Sequence, residues 1–431
     1  MGSRELLLFK TYPKLKEKVP WIPLLTNVPT PIERLTGLER KFDLVDGQIF
    51  LKRDDKNHDV YGGNKLRKFE FIFGDVIKKK KKGVVSYGGI GTNHGLACAI
   101  VCKKLSPSLK CHLFLYNQPL TWHVQRSLLL YDYFGSKLHY GKTDVSTFIK
   151  TWFFQINHPK YYFILPGGSP LFGRGTPLGI IGFINAILEL HEQIKNGVMP
   201  EPDVIFIAGS TTGTAAGLIA GCKLLGLKSI VYPVAVYKDF LANSSNVARN
   251  ANKALKYLRK KDNSFPKIEV TEKDFEFIKG YLGSGYGVKT IKSQNAVDTV
   301  YKLEGQEKGF HLETTYTGKA MAAMFDFLKK EENKSKIVLF WNTYNSNDLD
   351  LYVKETDFNY QKLPTKFHKF FNNDNFQCWQ ITECPTEIRE ECKAYLNQEY
   401  RFWKITNCSL DKTKSKKAFE TLSKLINLEE A

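Results

Sequence analysis

Tyr61-Gly62-Gly63-Asn64-Lys65-Leu66-Arg67-Lys68 is followed about 25 residues later by Gly88-Gly89-Ile90-Gly91-Thr92-Asn93-His94, a spacing that one helix and one strand account for. A lone lysine is usually a solvated charge. Lys65, however, follows two glycines at an expected strand-to-helix turn. There its amine can face a buried carbonyl compound instead of water, with a lowered pKa and an available lone pair, which is the chemistry of a Schiff-base lysine.

Around this stretch, residues 49–350 alternate short β-branched or aromatic runs with helical-period segments, the pattern of βαβ units around a mostly parallel sheet. Strands are expected at Gln48–Arg53, Val84–Tyr87, His112–Tyr116, Tyr161–Leu165, Val204–Ala208, Ser229–Val236 and Ile337–Trp341. Glycine-bearing turns after Tyr87, Leu165 and Ala208 fall at the carboxyl ends of strands, where open α/β sheets form their ligand crevice, and are expected to converge on one site. Pro20 to Pro31 is punctuated by proline and reads as an extended arm. Lys78 to Lys82 followed by Gly83 reads as a helix end, with cations at the negative pole and glycine taking the left-handed cap. After Leu351 the chain is richer in Lys, Asn, Phe and Cys, with Trp379 and Trp403 and helical stretches near Glu387–Leu396 and Lys416–Leu428. It reads as an appended small domain or docking tail.

A chain of 431 residues buries a large core without disulfides. Its net charge of +19 is large enough to attract nucleic acid, acidic lipid or an anionic cofactor. No helix-turn-helix, zinc-finger or ribonucleoprotein pattern accompanies that charge, so nucleic acid is not expected as a partner. The eight cysteines show no C-x-x-C spacing and lie mostly in apolar stretches, which argues for reduced thiols, against zinc, and for a cytoplasmic protein. Gly2 follows Met1, but Leu6 stands where N-myristoylation needs Ser or Thr. The longest apolar run, Leu178–Leu190, is too short to span a bilayer, so no membrane is expected.

Gly209, Ser210, Thr211, Thr212, Gly213 and Thr214 lie between an expected strand and the helical Ala215–Leu225. Glycines let backbone N–H groups approach phosphate oxygens, hydroxyls add donors, and the helix start adds partial positive charge. Such turns also serve simply as N-caps. This one lacks the lysine of a P-loop and the spacing of a Rossmann fingerprint, which puts nucleotide binding behind. An amine nucleophile together with a phosphate loop suggests pyridoxal phosphate held between two α/β units. Thr92, Asn93, His94 and Gly95 open another helix: Asn93 can donate to an aromatic phenolate, and Thr92 with the free amides can hold a carboxylate. Thr92 also suits a plain helix cap, and His94 a packed core histidine. Tyr286 and Tyr316 stand in glycine-flanked turns, where a phenol can relay a proton or stack on a planar ring, and core packing competes for each.

Together GGNKLRKFEF, GGIGTNHGLA, LPGGS, GSTTGTAAGL, GYGV and YTGKAM resemble the pyridoxal-phosphate enzymes of the D-cysteine desulfhydrase and 1-aminocyclopropane-1-carboxylate deaminase family. Pro31-Ile32-Glu33-Arg34-Leu35 is also similar to the family's TPLERL, and the resemblance runs from about Thr30 to Phe340. It implies the two-domain tryptophan synthase β-like fold (fold type II), each domain an open, mostly parallel sheet flanked by helices. Residues 1–55 would form the N-terminal arm and the start of the large domain, 56–168 the small domain, 169–350 the large domain and 351–431 a C-terminal extension. The resemblance further implies that Lys65 holds pyridoxal phosphate and later takes the substrate's Cα proton. Asn93 would meet the cofactor phenolate, the loop Gly209–Thr214 its phosphate, and Thr317 its ring nitrogen. Thr92, Asn93, His94 and Gly95 would line the substrate side, Tyr286 and Tyr316 would flank a small amino-acid substrate, and the assembly would be a homodimer.

Thr317 bears on the branch. The deaminase branch carries a glutamate there, which keeps the ring nitrogen protonated for ring opening without a good leaving group. A threonine is similar to the desulfhydrase branch, in which a thiolate leaves Cβ after Cα deprotonation. The expected reaction is therefore β-elimination of an amino acid such as D-cysteine to a keto acid, ammonia and sulfide. Two departures stand out: Gly91-Thr92 replaces the family's Gln-Ser before Asn-His, and Asn342-Thr343-Tyr344-Asn345 replaces His-Thr-Gly-Gly. The alternatives are deaminase-like activity and a cofactor-binding protein with degenerate catalysis.

Overall fold

The computed structural model describes residues 4–171, 175–305, 308–356 and 359–371. Cys378, Cys384, Cys392, Cys408, Trp379, Trp403 and the two helical stretches expected near the C-terminus lie outside the described residues. Nine strands are present among those described: β1 Ile32–Arg34, β2 Ile49–Arg53, β3 Gly83–Gly89, β4 Lys110–Tyr116, β5 Lys137–Tyr140, β6 Tyr161–Phe163, β7 Val204–Gly209, β8 Ile230–Ala235 and β9 Val338–Asn342. All seven expected strands form. β1 and β5, with three and four residues, are too short to carry a legible alternation.

The chain divides into two compact units, Met1–Lys81 with Ile164–Asn347, and Lys82–Phe163 with the described residues from Asp348 onward. In the first, the strand order is β1-β2-β9-β7-β8, with β1 antiparallel to β2 and the other pairs parallel. Every residue of β2 and β9 is buried, Lys52, Arg53 and Asn342 included, which fits strands covered on both faces. Leu51, Val204, Val338 and Phe340 pack with Ala320, Met321 and Met324 of the helix Thr317–Leu328 in one core. The second unit holds a wholly parallel sheet in the order β5-β4-β3-β6.

The boundary expected at residue 56 falls instead after Lys81, because the helix Asn64–Lys78 packs on the helix Leu178–Lys195. A Cβ on Gly182 would stand 2.1 Å from the Arg67 carbonyl oxygen, so glycine is what lets the two backbones approach. Arg67 then buries its guanidinium against Asp54 at 2.7 Å and Glu189 at 3.0 Å. The lysine-run cap is also placed differently. Lys80 takes the left-handed conformation (φ 50°), whereas Gly83 opens β3, where a Cβ would meet the Lys110 carbonyl oxygen at 2.0 Å. Pro20 to Pro31 is neither helix nor strand, as its prolines require.

Candidate active site

The turn that carries Lys65 is fixed by backbone crowding. A Cβ on Gly62 would lie 1.7 Å from the Asp55 carbonyl oxygen, and one on Gly63 (φ 103°) 2.6 Å from that of Thr343. The Gly63 N–H donates to the Asp54 carbonyl at 2.7 Å, that of Asn64 to the Thr343 carbonyl at 3.2 Å, and that of Gly62 to Asn345 Oδ1 at 2.7 Å. The loop that departs from the family's His-Thr-Gly-Gly thus braces the lysine turn, through a carbonyl and an amide side chain. Lys65 is part-buried, and its Nζ donates to Asn64 Oδ1 at 2.7 Å. Asn64 Nδ2 donates in turn to Thr214 Oγ1 at 3.2 Å, which links the lysine to the glycine-threonine loop.

That loop follows β7 and opens the helix Gly213–Leu225, with Thr212 in the left-handed region at φ 61°. Gly213 lies against Ser169 and Lys68: a Cβ there would stand 2.0 Å from Ser169 Oγ and 3.3 Å from Lys68 Nζ. Lys68 Nζ donates to the Gly167 carbonyl at 2.8 Å and to Ser169 Oγ at 3.1 Å. Burial, and then the neighbouring Lys65 charge, hold the Lys68 ammonium well below its ordinary pKa. Thr211 Oγ1 reaches Ser169 Oγ at 3.4 Å, and Asn250 Nδ2 donates to Thr212 Oγ1 at 3.0 Å. The turns after Leu165 and Ala208 therefore meet, while the turn after Tyr87 belongs to the second unit. Sequence reasoning missed Lys68 and Ser169. The position of Lys68 three residues after Lys65, on the same helical face, was the available signal.

Tyr286 and Tyr316 are hydrogen-bonded through their hydroxyls, with ring centroids 5.9 Å apart, and Tyr237 packs edge-on against Tyr286 at 5.0 Å. Burial pushes the Tyr286 phenol up to about 12. Behind the pair, the Glu313 carboxylate accepts from the N–H groups of Thr315 (2.7 Å), Tyr316 (3.0 Å) and Thr317 (2.8 Å), capping the helix that Thr317 starts. Burial raises the Glu313 pKa against those bonds. The Thr317 hydroxyl accepts from the Glu313 N–H at 3.0 Å and donates to Glu313 Oε1 at 3.1 Å, which commits its one proton. Lys319 is fully buried and donates to the Leu282 carbonyl at 2.7 Å, anchoring the loop that carries Tyr286.

Within the second unit, Thr92 caps the helix Asn93–Leu105, its Oγ1 accepting from the Gly95 N–H at 3.3 Å. Asn93 is part-buried at the first helical position. His94 is buried and lies 3.9 Å from Cys98 Sγ, the packed-histidine alternative. The Gln118 side chain occupies the room left by glycine: a Cβ on Gly89 would meet its Oε1 at 2.1 Å and one on Gly91 its Nε2 at 2.8 Å. At Gly91, where the resemblance calls for glutamine before Ser-Asn-His, this chain lays the Gln118 carboxamide over the turn from β4's exit. His123 faces the Gly91 carbonyl at 3.2 Å, and burial pushes its pKa down to about 4. Gln118 and His123 had no sequence signal, since their places depend on β3 and β4 pairing.

An α/β chain with a lysine linked to a glycine-threonine loop at a helix start defines a class that the comparisons specify. The family model for pyridoxal-phosphate dependent enzymes matches residues 24–343, and the chain belongs to that family. It is 30% identical over 330 residues to the D-cysteine desulfhydrase of Klebsiella pneumoniae (strain 342), covering 74% of this chain and 92% of that protein. It is 28% identical over 325 residues to a putative 1-aminocyclopropane-1-carboxylate deaminase of Thermotoga maritima, covering 74% and 94%. Among solved structures, an ACC deaminase homologue superposes with a TM-score of 0.64 at 24% identity, over 80% of this chain and 98% of the other. That likeness establishes the shared type II fold.

The protein is thus a pyridoxal-phosphate enzyme, and its residues suit the cofactor. The cofactor carries an aldehyde and a phosphate dianion. Lys65 lies two hydrogen bonds from the Gly209–Thr214 loop, and beside that loop stands Lys68, a buried amine with no carboxylate partner among the described residues. A phosphate at the loop supplies the missing counter-charge.

Proposed function

We propose that this enzyme catalyses β-elimination on a small amino acid, D-cysteine foremost, releasing sulfide, ammonia and a keto acid. The observation that carries the reading is the chain of contacts from Lys65 through Asn64 to Thr214, beside Lys68. In this reading Lys68, Ser169 and the amides of Gly209–Thr214 hold the phosphate, and Lys65 holds the aldehyde carbon. When bound, the cofactor supplies an electron sink for the pair left at Cα. The Lys65 amine, freed when the substrate's amine takes its place on the aldehyde carbon, would then take the Cα proton. Thr92 and the positive end of the helix it caps hold the substrate carboxylate. Asn93 donates to the ring phenolate, and His94 and Gly95 shape the same wall. The Tyr286–Tyr316 pair delivers a proton to the departing sulfur, for which a phenol held protonated is suited.

Thr317 supports elimination over ring opening. A neutral hydroxyl engaged with Glu313 carries no negative charge with which to hold the ring nitrogen protonated, as the glutamate of the deaminase branch would. The name of the Klebsiella relative agrees, whereas that of the Thermotoga relative favours deamination of the cyclopropane amino acid as the second reading. Buried free thiols at Cys98, Cys102, Cys111 and Cys222 support a reducing, cytoplasmic setting, and no helix among the described residues is long and apolar enough to cross a membrane. A homodimer is part of the same reading.

The test is keto-acid release by the purified holoenzyme from D-cysteine, L-cysteine, β-chloro-D-alanine and 1-aminocyclopropane-1-carboxylate. Pyruvate from D-cysteine and β-chloro-D-alanine is expected. Product from the cyclopropane compound alone would transfer the protein to the deaminase reading, and no product from a fully loaded enzyme would make it a cofactor-binding protein with lost catalysis.

A further inference from the structure

The helix Asp144–Asn157 in the second unit turns an apolar stripe outward. Val145 is 70% exposed, Ile149 47%, Trp152 36%, Phe153 60% and Ile156 57%. These positions recur at four, seven, eight and eleven residues from the first, one face of the helix. Scattered apolar side chains at a surface are ordinary, but five on a single helical face form a continuous patch of the kind that marks a docking site. Exposed cations flank it: Lys150 on the helix, Lys142 before it and Lys160 after it, with Asp144 the acidic residue at its start.

The chain itself arrives beside this face. Phe367 and Phe370 pack on the Tyr140 ring at 5.7 and 5.9 Å, and Lys369 Nζ donates to the Tyr140 hydroxyl at 2.7 Å. Gln125 Nε2 fixes the Phe370 carbonyl at 2.7 Å. Lys150 of the exposed helix donates to the Tyr140 carbonyl at 3.2 Å, so one residue, Tyr140, joins the last described turn to that helix. Sixty residues of sequence follow Phe371, all beyond the region matched by the family, which ends at 343. Fifteen of them separate Phe371 from Glu387, enough chain to reach any point on a helix of 14 residues.

We propose that the segment Glu387–Leu396 of the same chain docks on the exposed face of the helix Asp144–Asn157. Its apolar positions Ile388, Cys392, Tyr395 and Leu396 repeat at four, seven and eight residues, the spacing of the stripe opposite. Its charges complement the flanks: Glu387, Glu390 and Glu391 outnumber Arg389 and Lys393, and meet Lys142, Lys150 and Lys160. The later stretch Lys416–Leu428 carries Lys416, Lys417 and Lys424 against Glu420 and would set cations against cations.

The experiment is zero-length carbodiimide coupling of full-length holoenzyme, prepared as an equal mixture of unlabelled and nitrogen-15 protein, followed by peptide mass spectrometry. Couplings from Lys142, Lys150 or Lys160 to Glu387, Glu390 or Glu391 within one isotopic form are expected. The double variant Ile149→Asp, Phe153→Asp should lower their yield about tenfold, since it removes two apolar contacts and sets carboxylates against the glutamate-rich segment. Ile388→Asp should do the same from the other side, and Ile291→Asp, 82% exposed in the first unit, should leave the yield unchanged. Couplings between the two isotopic forms would assign the face to a second copy and overturn the proposal. So would absence of coupling, or coupling indifferent to the aspartate substitutions. Unchanged visible absorbance of the cofactor certifies that each variant is folded.

Discussion

The Lys65 ammonium donates to the side-chain carbonyl of Asn64 at 2.7 Å, and the amide of that same asparagine reaches Thr214 at 3.2 Å. A residue next to Lys65 in sequence thus ties it to a loop about 150 residues away. Lys65→Ala should remove the visible absorbance of the loaded enzyme and lower turnover at least about a thousandfold. Borohydride reduction and peptide mapping should label Lys65 in the parent and nothing in the variant; label on another lysine would refute the assignment.

Lys68→Met should weaken binding of pyridoxine 5′-phosphate, which has no aldehyde, by about 2 kcal/mol, the scale of a charge-assisted contact. The pH dependence has a definite sign. In the cofactor-free protein burial holds the Lys68 pKa well below 10.5, and a bound phosphate raises it again. Binding then takes up a proton, so affinity should fall as pH rises between the two values. By the same linkage the unfolded chain binds more protons in that window, and stability of the cofactor-free protein should rise with pH there. Titration calorimetry on parent and variant checks this, and equal slopes would exclude Lys68 from the cradle.

Tyr286→Phe should lower kcat by about a hundredfold while leaving cofactor absorbance unchanged, as expected for loss of a positioned acid. Because the phenol lies near 12, no fall in rate from this group is expected on the alkaline side below about pH 11. Folded-state protection of the phenol also makes stability decline as pH climbs from 10 toward 12. Lys319→Met, which frees the Leu282 carbonyl, should raise KM by about tenfold through the displaced tyrosine loop. Steady-state kinetics with circular dichroism separates this from unfolding.

Glu189→Gln should destabilise the first unit by about 3–5 kcal/mol, because it leaves the buried Arg67 charge short of one partner. Burial alone would raise the Glu189 pKa, but Arg67 and Lys52 outweigh it and hold the carboxyl far below its ordinary 4.5. Its stabilising contribution is therefore complete above pH 4.5 and is lost only as pH falls toward the depressed folded value. Urea unfolding at pH 7 and pH 3 should show a smaller pH effect in the variant than in the parent.

Much of the site was legible because it rests on local rules. Glycines before Lys65, a Gly/Thr turn after the apolar run of β7, and a threonine before Asn93 announce a turn or a helix start wherever they stand. The missing parts are those that depend on distant backbone. Ser169 and Lys68 meet across 101 positions of sequence, Asn345 braces Gly62 across 283, and Gln118 fills the room above Gly91 only because β3 and β4 pair. Gly83 was misread for the same reason: a carbonyl from the next strand, not a helix end, demands glycine there.

By itself, then, the sequence determined the βαβ alternation, the two glycine turns and the family, since periodicity and backbone permissiveness act over a few residues. Only the tertiary structure decided that the Asn64 helix belongs to the first unit, that Lys68 lies against the Gly213 turn, and that Thr317 gives its proton to Glu313. Burial, close backbone approach and hydrogen-bond partnership are relations between segments far apart in the chain, and they take definite values only once those segments have packed.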